Sequence, residues 1–199
     1  MKLRLCGLLI AVMFIAGCST TLEPRKVNAD GRFPTETKLS AEGIKIVKPF
    51  SENYKALAYI KTDSRAKGSN DFFLKSFQNM GVFTQVVLQS DLERLVIERK
   101  LTDKIATISD LISLNRLEKE IGPFLIVETY IAWKSPHIYF AQLKAIDPES
   151  GATVLLLEQE AADLAGLDDP LFFPLLNGFL DWTKGELVSA GPTKNQQLK

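Results

Sequence analysis

The chain has 199 residues, 46% of them apolar and 24% charged. That suits one ordinary globular domain, is short for two, and excludes a disordered chain. The formal net charge is zero and basic clusters such as Arg25-Lys26 are sparse, which argues against a nucleic-acid binder with Lys and Arg massed on one face.

The first element is a signal. Lys2 and Arg4 precede an almost wholly apolar run from Leu5 to Ala16, and Gly17-Cys18 close it. This charged, apolar, small-residue order is that of a secretory signal. About twelve apolar residues span roughly 18 Å as a helix, well short of the ~30 Å hydrocarbon core, so a permanent membrane helix is the weaker reading. An ordinary signal peptide with an incidental cysteine is the alternative.

Ile15-Ala16-Gly17-Cys18 resembles the lipobox of bacterial lipoproteins. The resemblance implies that residues 1–17 are removed, that Cys18 carries diacylglycerol through a thioether, and that its new amino group is acylated. Ser19 in the following place implies sorting to the outer membrane of a Gram-negative cell, on the periplasmic face. Two or three acyl chains satisfy the two-signal requirement for stable anchoring. On this reading Cys6 is lost and Cys18 is lipidated, so the mature domain has no free thiol, disulfide or cysteine-based metal site. A chain beginning at Cys18 also loses Lys2 and Arg4 and carries a net charge of −2.

Residues 18–43 are expected to be the lipidated cysteine and a flexible tether. The stretch is polar, holds Pro24, Gly31 and Pro34, and shows no sustained apolar period. Such a segment has an r.m.s. reach of roughly 25–30 Å. The domain is expected over residues 44–188, with a polar tail at 189–199. Residues 44–47 suit a first strand, and Ala56-Leu57-Ala58-Tyr59-Ile60 reads as a buried one. Ser69-Asn70-Asp71 can cap a helix carrying Phe73, Phe77 and Met80, with Gly81 as its stop. Residues 82–88 (V-F-T-Q-V-V-L) are rich in β-branched side chains and predict a strand.

Ser90-Asp91-Leu92-Glu93 is a capping-box pattern for the next helix. Ser109 or Asp110 starts another, with Leu111, Leu114, Leu117 and Ile121 as its stripe and Gly122-Pro123 as its end. Strands are predicted over 124–133, 137–146 and 152–159. The middle and last of these are joined by Asp147-Pro148-Glu149-Ser150-Gly151, a connection too short for a crossover. A final helix starts at Asp169-Pro170 and runs to about residue 187.

From Lys55 the order is strand, helix, strand, helix, helix, three strands, helix. It predicts a mixed α/β (α+β) fold, a two-layer sandwich with helices packed on a mixed sheet of about five strands. Three stretches carry a resemblance over about residues 44–187. They are Asp91-Leu92-Glu93-Arg94-Leu95 leading to Glu98-Arg99-Lys100, the Phe124-Leu125-Ile126-Val127-Glu128 strand, and the Asp147–Gly151 turn. The pattern resembles the periplasmic α/β domain shared by the amino-terminal domain of TolB, the curli secretion lipoprotein and the outer-membrane lipoprotein that activates a penicillin-binding protein. That resemblance implies a role in envelope biogenesis, in peptidoglycan synthesis control or surface-polymer secretion.

Residues with catalytic potential are few. His137 is the only histidine, so a Ser-His-Asp hydrolase would have to use it, and one imidazole cannot build a zinc site. Asp163, Asp168 and Asp169 cluster before the last helix without EF-hand spacing and read as caps and solvated charge. Glu158 and Glu160 share a strand face without a catalytic frame. No cofactor or metal is expected and no enzyme.

The aromatics are more informative. Phe172, Phe173, Phe179 and Trp182 cover more than one face of the last helix. Either Pro174 bends the entry so that both sides pack, or they form a partner surface. Tyr130 and Trp133, with Tyr139 close by, offer a second patch. The expectation is a non-enzymatic accessory or adaptor. It meets the bilayer through the Cys18 acyl chains and docks on a periplasmic envelope protein. A peptidoglycan- or polysaccharide-binding module is the alternative, with a hydrolase behind it.

Overall fold

The structure, a computed structural model, describes residues 22, 24–62, 68–162 and 167–187. Cys18, Ser19, Asp163 and the 189–199 tail lie outside those residues. In chain order the elements are β1 (Ile44–Val47), β2 (Leu57–Thr62), α1 (Ser69–Met80), β3 (Gln85–Val87), α2 (Gln89–Glu98), α3 (Leu111–Ile121), β4 (Leu125–Ser135), β5 (Ile138–Ile146), β6 (Thr153–Ala162) and α4 (Phe173–Thr183). A single π-helical turn, Asp168–Phe172, leads into α4.

The fold is the expected mixed α/β arrangement, with six strands in the order β1-β6-β5-β4-β2-β3. β2 runs parallel to both β3 and β4, while β4, β5, β6 and β1 are antiparallel neighbours. The parallel pairs follow from chemistry. Helices bridge β2 to β3 and β3 to β4, and only a crossover of that length can return the chain in the same direction. Asp147–Gly151, by contrast, closes a tight hairpin, with Gly151 at φ 68°.

Side chains alternate along the strands, and the helices divide between the two faces. On one face Ala58, Ile60, Leu125, Val127, Leu143 and Leu157 pack under α1 and α4. On the other, Leu57, Tyr59, Ile126 and Ile146 pack under Leu92 and Val96 of α2 and Leu114 and Leu117 of α3. Burial on both faces explains why the β2 and β4 sequences read as continuous apolar runs.

The helix signals act locally as chemistry requires. Gly81 takes the left-handed conformation, φ 66°, and ends α1. Asp110 caps α3 by accepting from the Ser113 amide at 3.0 Å, and those hydrogen bonds hold its carboxyl below the ordinary range. At α2 the N-cap falls at Leu88, two residues before the expected Ser90, and Asp91 takes the place expected of Glu93. The helix begins at Gln89, and the Asp91 carboxylate accepts from the Leu88 amide at 3.0 Å.

Two expectations need correction. The segment from Pro24 onward is no flexible tether. Phe33 is 2% exposed and stacks on Phe173 at 5.1 Å. The Phe33 amide donates to Asn177 Oδ1 at 2.8 Å, and Asn177 Nδ2 donates back to the Phe33 carbonyl at 3.0 Å. Arg32 pairs with Asp181, and Leu39 packs against the same core. One buried aromatic and a reciprocal amide clasp are enough to lay a polar segment along α4.

The second correction concerns Phe172, Phe173, Phe179 and Trp182, which are all buried and form no exposed partner surface. Phe172 meets Phe73 edge-on at 5.3 Å, and Phe179 meets Phe77 at 5.0 Å. Trp182 lies edge-on to Phe50 at 5.0 Å, and its Nε1 donates to the Lys48 carbonyl at 2.6 Å. The physical reason is that α4 is covered from several directions at once, by the sheet, by α1 and by the segment before β1. An aromatic on nearly any side of it finds a partner.

Candidate functional site

The helices leave part of the sheet uncovered. Strand phase and register place Lys45, Lys61, Glu128, Lys144, Gln142 and Glu158 on this open face. They form a cross-strand lattice. Glu128 bridges Lys61 at 3.0 Å and Lys144 at 2.5 Å, and Glu158 accepts from Gln142 at 3.0 Å and faces Lys45 at 3.5 Å. Burial pushes the Glu128 carboxyl upward, but the hydrogen bonds and charges of the two lysines outweigh it and hold the group below its ordinary value. Glu160, on the same face as Glu158, pairs with Lys134.

Tyr130 rises from this lattice beside Phe140, ring centroids 6.5 Å apart, and is 38% exposed. Trp133 is 70% exposed near the β4–β5 turn. The uninterrupted register from Tyr130 to Trp133 puts the two on opposite faces of β4, so they do not form one patch. Trp133 pairs with Tyr139 across the strands. His137 is exposed in the turn itself, in the left-handed conformation at φ 63°. It serves the turn, a position that asparagine, aspartate and histidine tolerate better than most residues.

The acidic residues before α4 are engaged. Asp168 pairs with Arg25 at 3.3 Å, and Asp169 Oδ1 accepts from Thr35 Oγ1 at 2.5 Å. A groove of about 1180 Å³ runs between the 25–39 segment and α4. Several of its polar groups hold the segment in place: Arg32 pairs with Asp181, Thr35 with Asp169, and Asn177 with the Phe33 backbone.

One constellation was not foreseen from the sequence. Glu118 of α3 meets Asp147 and Glu149 of the β5–β6 turn, with one carboxylate oxygen from each within 4.8 Å of the others. Glu118 is 7% exposed, and its Oε2 has no hydrogen-bond partner. Burial, and then the charges of Asp147 and Glu149, push its carboxyl up to about 7. Tyr54 faces Asp147, and burial together with that carboxylate raises its hydroxyl to about 12. The residues come from points 29 and 31 positions apart in the chain, so no spacing rule marks them.

Among the described residues no helix is long and apolar enough to cross a membrane. No protein-family model matches the chain, and no curated protein does. Two solved structures resemble it loosely. The C-terminal domain of LpoB from Salmonella enterica shares 9% identity, covering 56% of this chain and 85% of that one, at a TM-score of 0.35. Lipoprotein GNA1162 from Neisseria meningitidis shares 10%, covering 70% of this chain and 99% of that one, at 0.34. Overlaps of this size do not say what the chain does.

Proposed function

We propose that this is a lipoprotein of the Gram-negative outer membrane, held on the periplasmic face by Cys18, and that it serves as a non-enzymatic accessory to an envelope-biogenesis protein. The observation that carries the reading is the Ile15-Ala16-Gly17-Cys18-Ser19 stretch, placed directly after a short apolar run. The contact is assigned to the open sheet face at Tyr130, with Trp133, on the opposite face of the hairpin, as a second candidate. A large, exposed aromatic beside a polar lattice is the kind of anchor that interfaces bury. Control of peptidoglycan synthesis and secretion of a surface polymer are the two processes it would serve.

The test is crosslinking in intact cells with a photoreactive residue at 130 or 133. A specific adduct at one of these positions, absent from the Cys18→Ser variant, supports the reading. No adduct from abundant, correctly localised protein overturns it. Metabolic labelling with palmitate, lost in Cys18→Ser, checks the anchor separately.

The Trp133–Tyr139 pair favours a second reading, because two aromatics side by side on one face can stack on a sugar ring. Sedimentation of the protein with purified murein, abolished by Trp133→Ala, would support it over the adaptor.

A further inference from the structure

We propose that Glu118, Asp147 and Glu149 form a Ca²⁺ site at the seam between α3 and the β5–β6 turn. The site is built. Asp147 is fixed by the turn it closes, its carboxylate accepting from the Glu149 and Ser150 amides at 3.2 and 3.3 Å and from Ser150 Oγ at 2.5 Å. Asn115, one helical turn before Glu118, donates to the Pro148 and Glu149 carbonyls at 3.0 and 2.8 Å and locks the turn onto α3. The lock brings a buried carboxylate with an unpartnered Oε2 against two more carboxylates.

Among the described residues none of the three acids makes a salt bridge. Three carboxylates converging with no cation repel one another, and a buried acceptor without a donor costs free energy. A hard cation resolves both. Three protein carboxylates suit Ca²⁺, which takes six to eight oxygen ligands in flexible geometry, better than Mg²⁺, which keeps several waters and is usually held by one or two carboxylates. Glu149 is exposed, so water completes the shell, and the affinity belongs with extracellular modules at roughly 10⁻⁴–10⁻³ M.

The test uses the full chain in detergent at pH 8, with Ca²⁺, Mg²⁺ and the luminescent probe Tb³⁺. Tyr54, facing Asp147, sensitises Tb³⁺ emission. The expected results are saturable emission that Ca²⁺ displaces and a Tm that rises by roughly 3–6 °C at ten times the dissociation constant. Glu118→Gln should abolish both responses while leaving the ion-free Tm unchanged or higher. Glu149→Gln, at an exposed position, should weaken Ca²⁺ at least about tenfold. Wild-type protein with no saturable emission and no Ca²⁺ shift overturns the site, as does an unaltered response in both variants. A Mg²⁺ shift equal to that of Ca²⁺ overturns the choice of ion.

Discussion

Phe33 decides what the segment before β1 is. A phenylalanine in a tether would sit in water, and its removal would change stability by less than about 0.5 kcal/mol. Here it is buried on Phe173, with its amide and carbonyl clasped by Asn177. Phe33→Ala should therefore destabilise the protein by about 3 kcal/mol or more, read as a lower urea midpoint at unchanged slope. Nothing local announces this. The residues around Phe33 are polar and show no period, so its burial depends on α4, some 140 positions away. Glu118 was illegible for the same reason, being one acid in an amphipathic helix until the hairpin turn folds against it. Cap residues are different. Asp110 and Gly81 act on their own helices, and both were readable from the sequence.

Elements were legible where their periodicity reports a single environment. α1 and α3 showed their stripes, and β4 to β6 their lengths and turn. α4 was harder, because periodicity assigns a helix one buried face and α4 has cover on several sides. β3 shrank to Gln85–Val87 because only that stretch finds the edge of β2. The open face offers an element-scale prediction. Lys61 on β2, Glu128 on β4 and Lys144 on β5 join three strands through one carboxylate. The folded Glu128 carboxyl titrates below its unfolded value. Its stabilising contribution is thus complete above the unfolded pKa of about 4.3 and is lost as pH falls through the folded one. Glu128→Gln should cost about 0.5–1.5 kcal/mol at pH 7, discounted because the lysines are half exposed, and that gap should close below about pH 4. Denaturant melts of both proteins at pH 3 and 7 would show it.

At the scale of the whole molecule, packing from Pro24 onward changes the geometry of attachment. On the proposed anchoring at Cys18, only residues 19–21 intervene before the chain joins the domain at Leu22, which packs against the core. The contour length of that stretch is at most about 14 Å. The proposed anchor then gives a short leash, and the point where the domain begins stays within about 14 Å of the lipid-linked cysteine. On that proposal a partner has to reach a domain held close to the bilayer. Inserting about twenty Gly/Ser residues after Ser19 should leave the melting temperature unchanged while lowering the crosslinking yield from position 133. Unaltered yield would mean that the partner does not measure distance from the membrane. On the proposed anchoring, the clasp on Phe33 does more than close a core: it acts as a ruler, setting how far from the lipid the domain can begin.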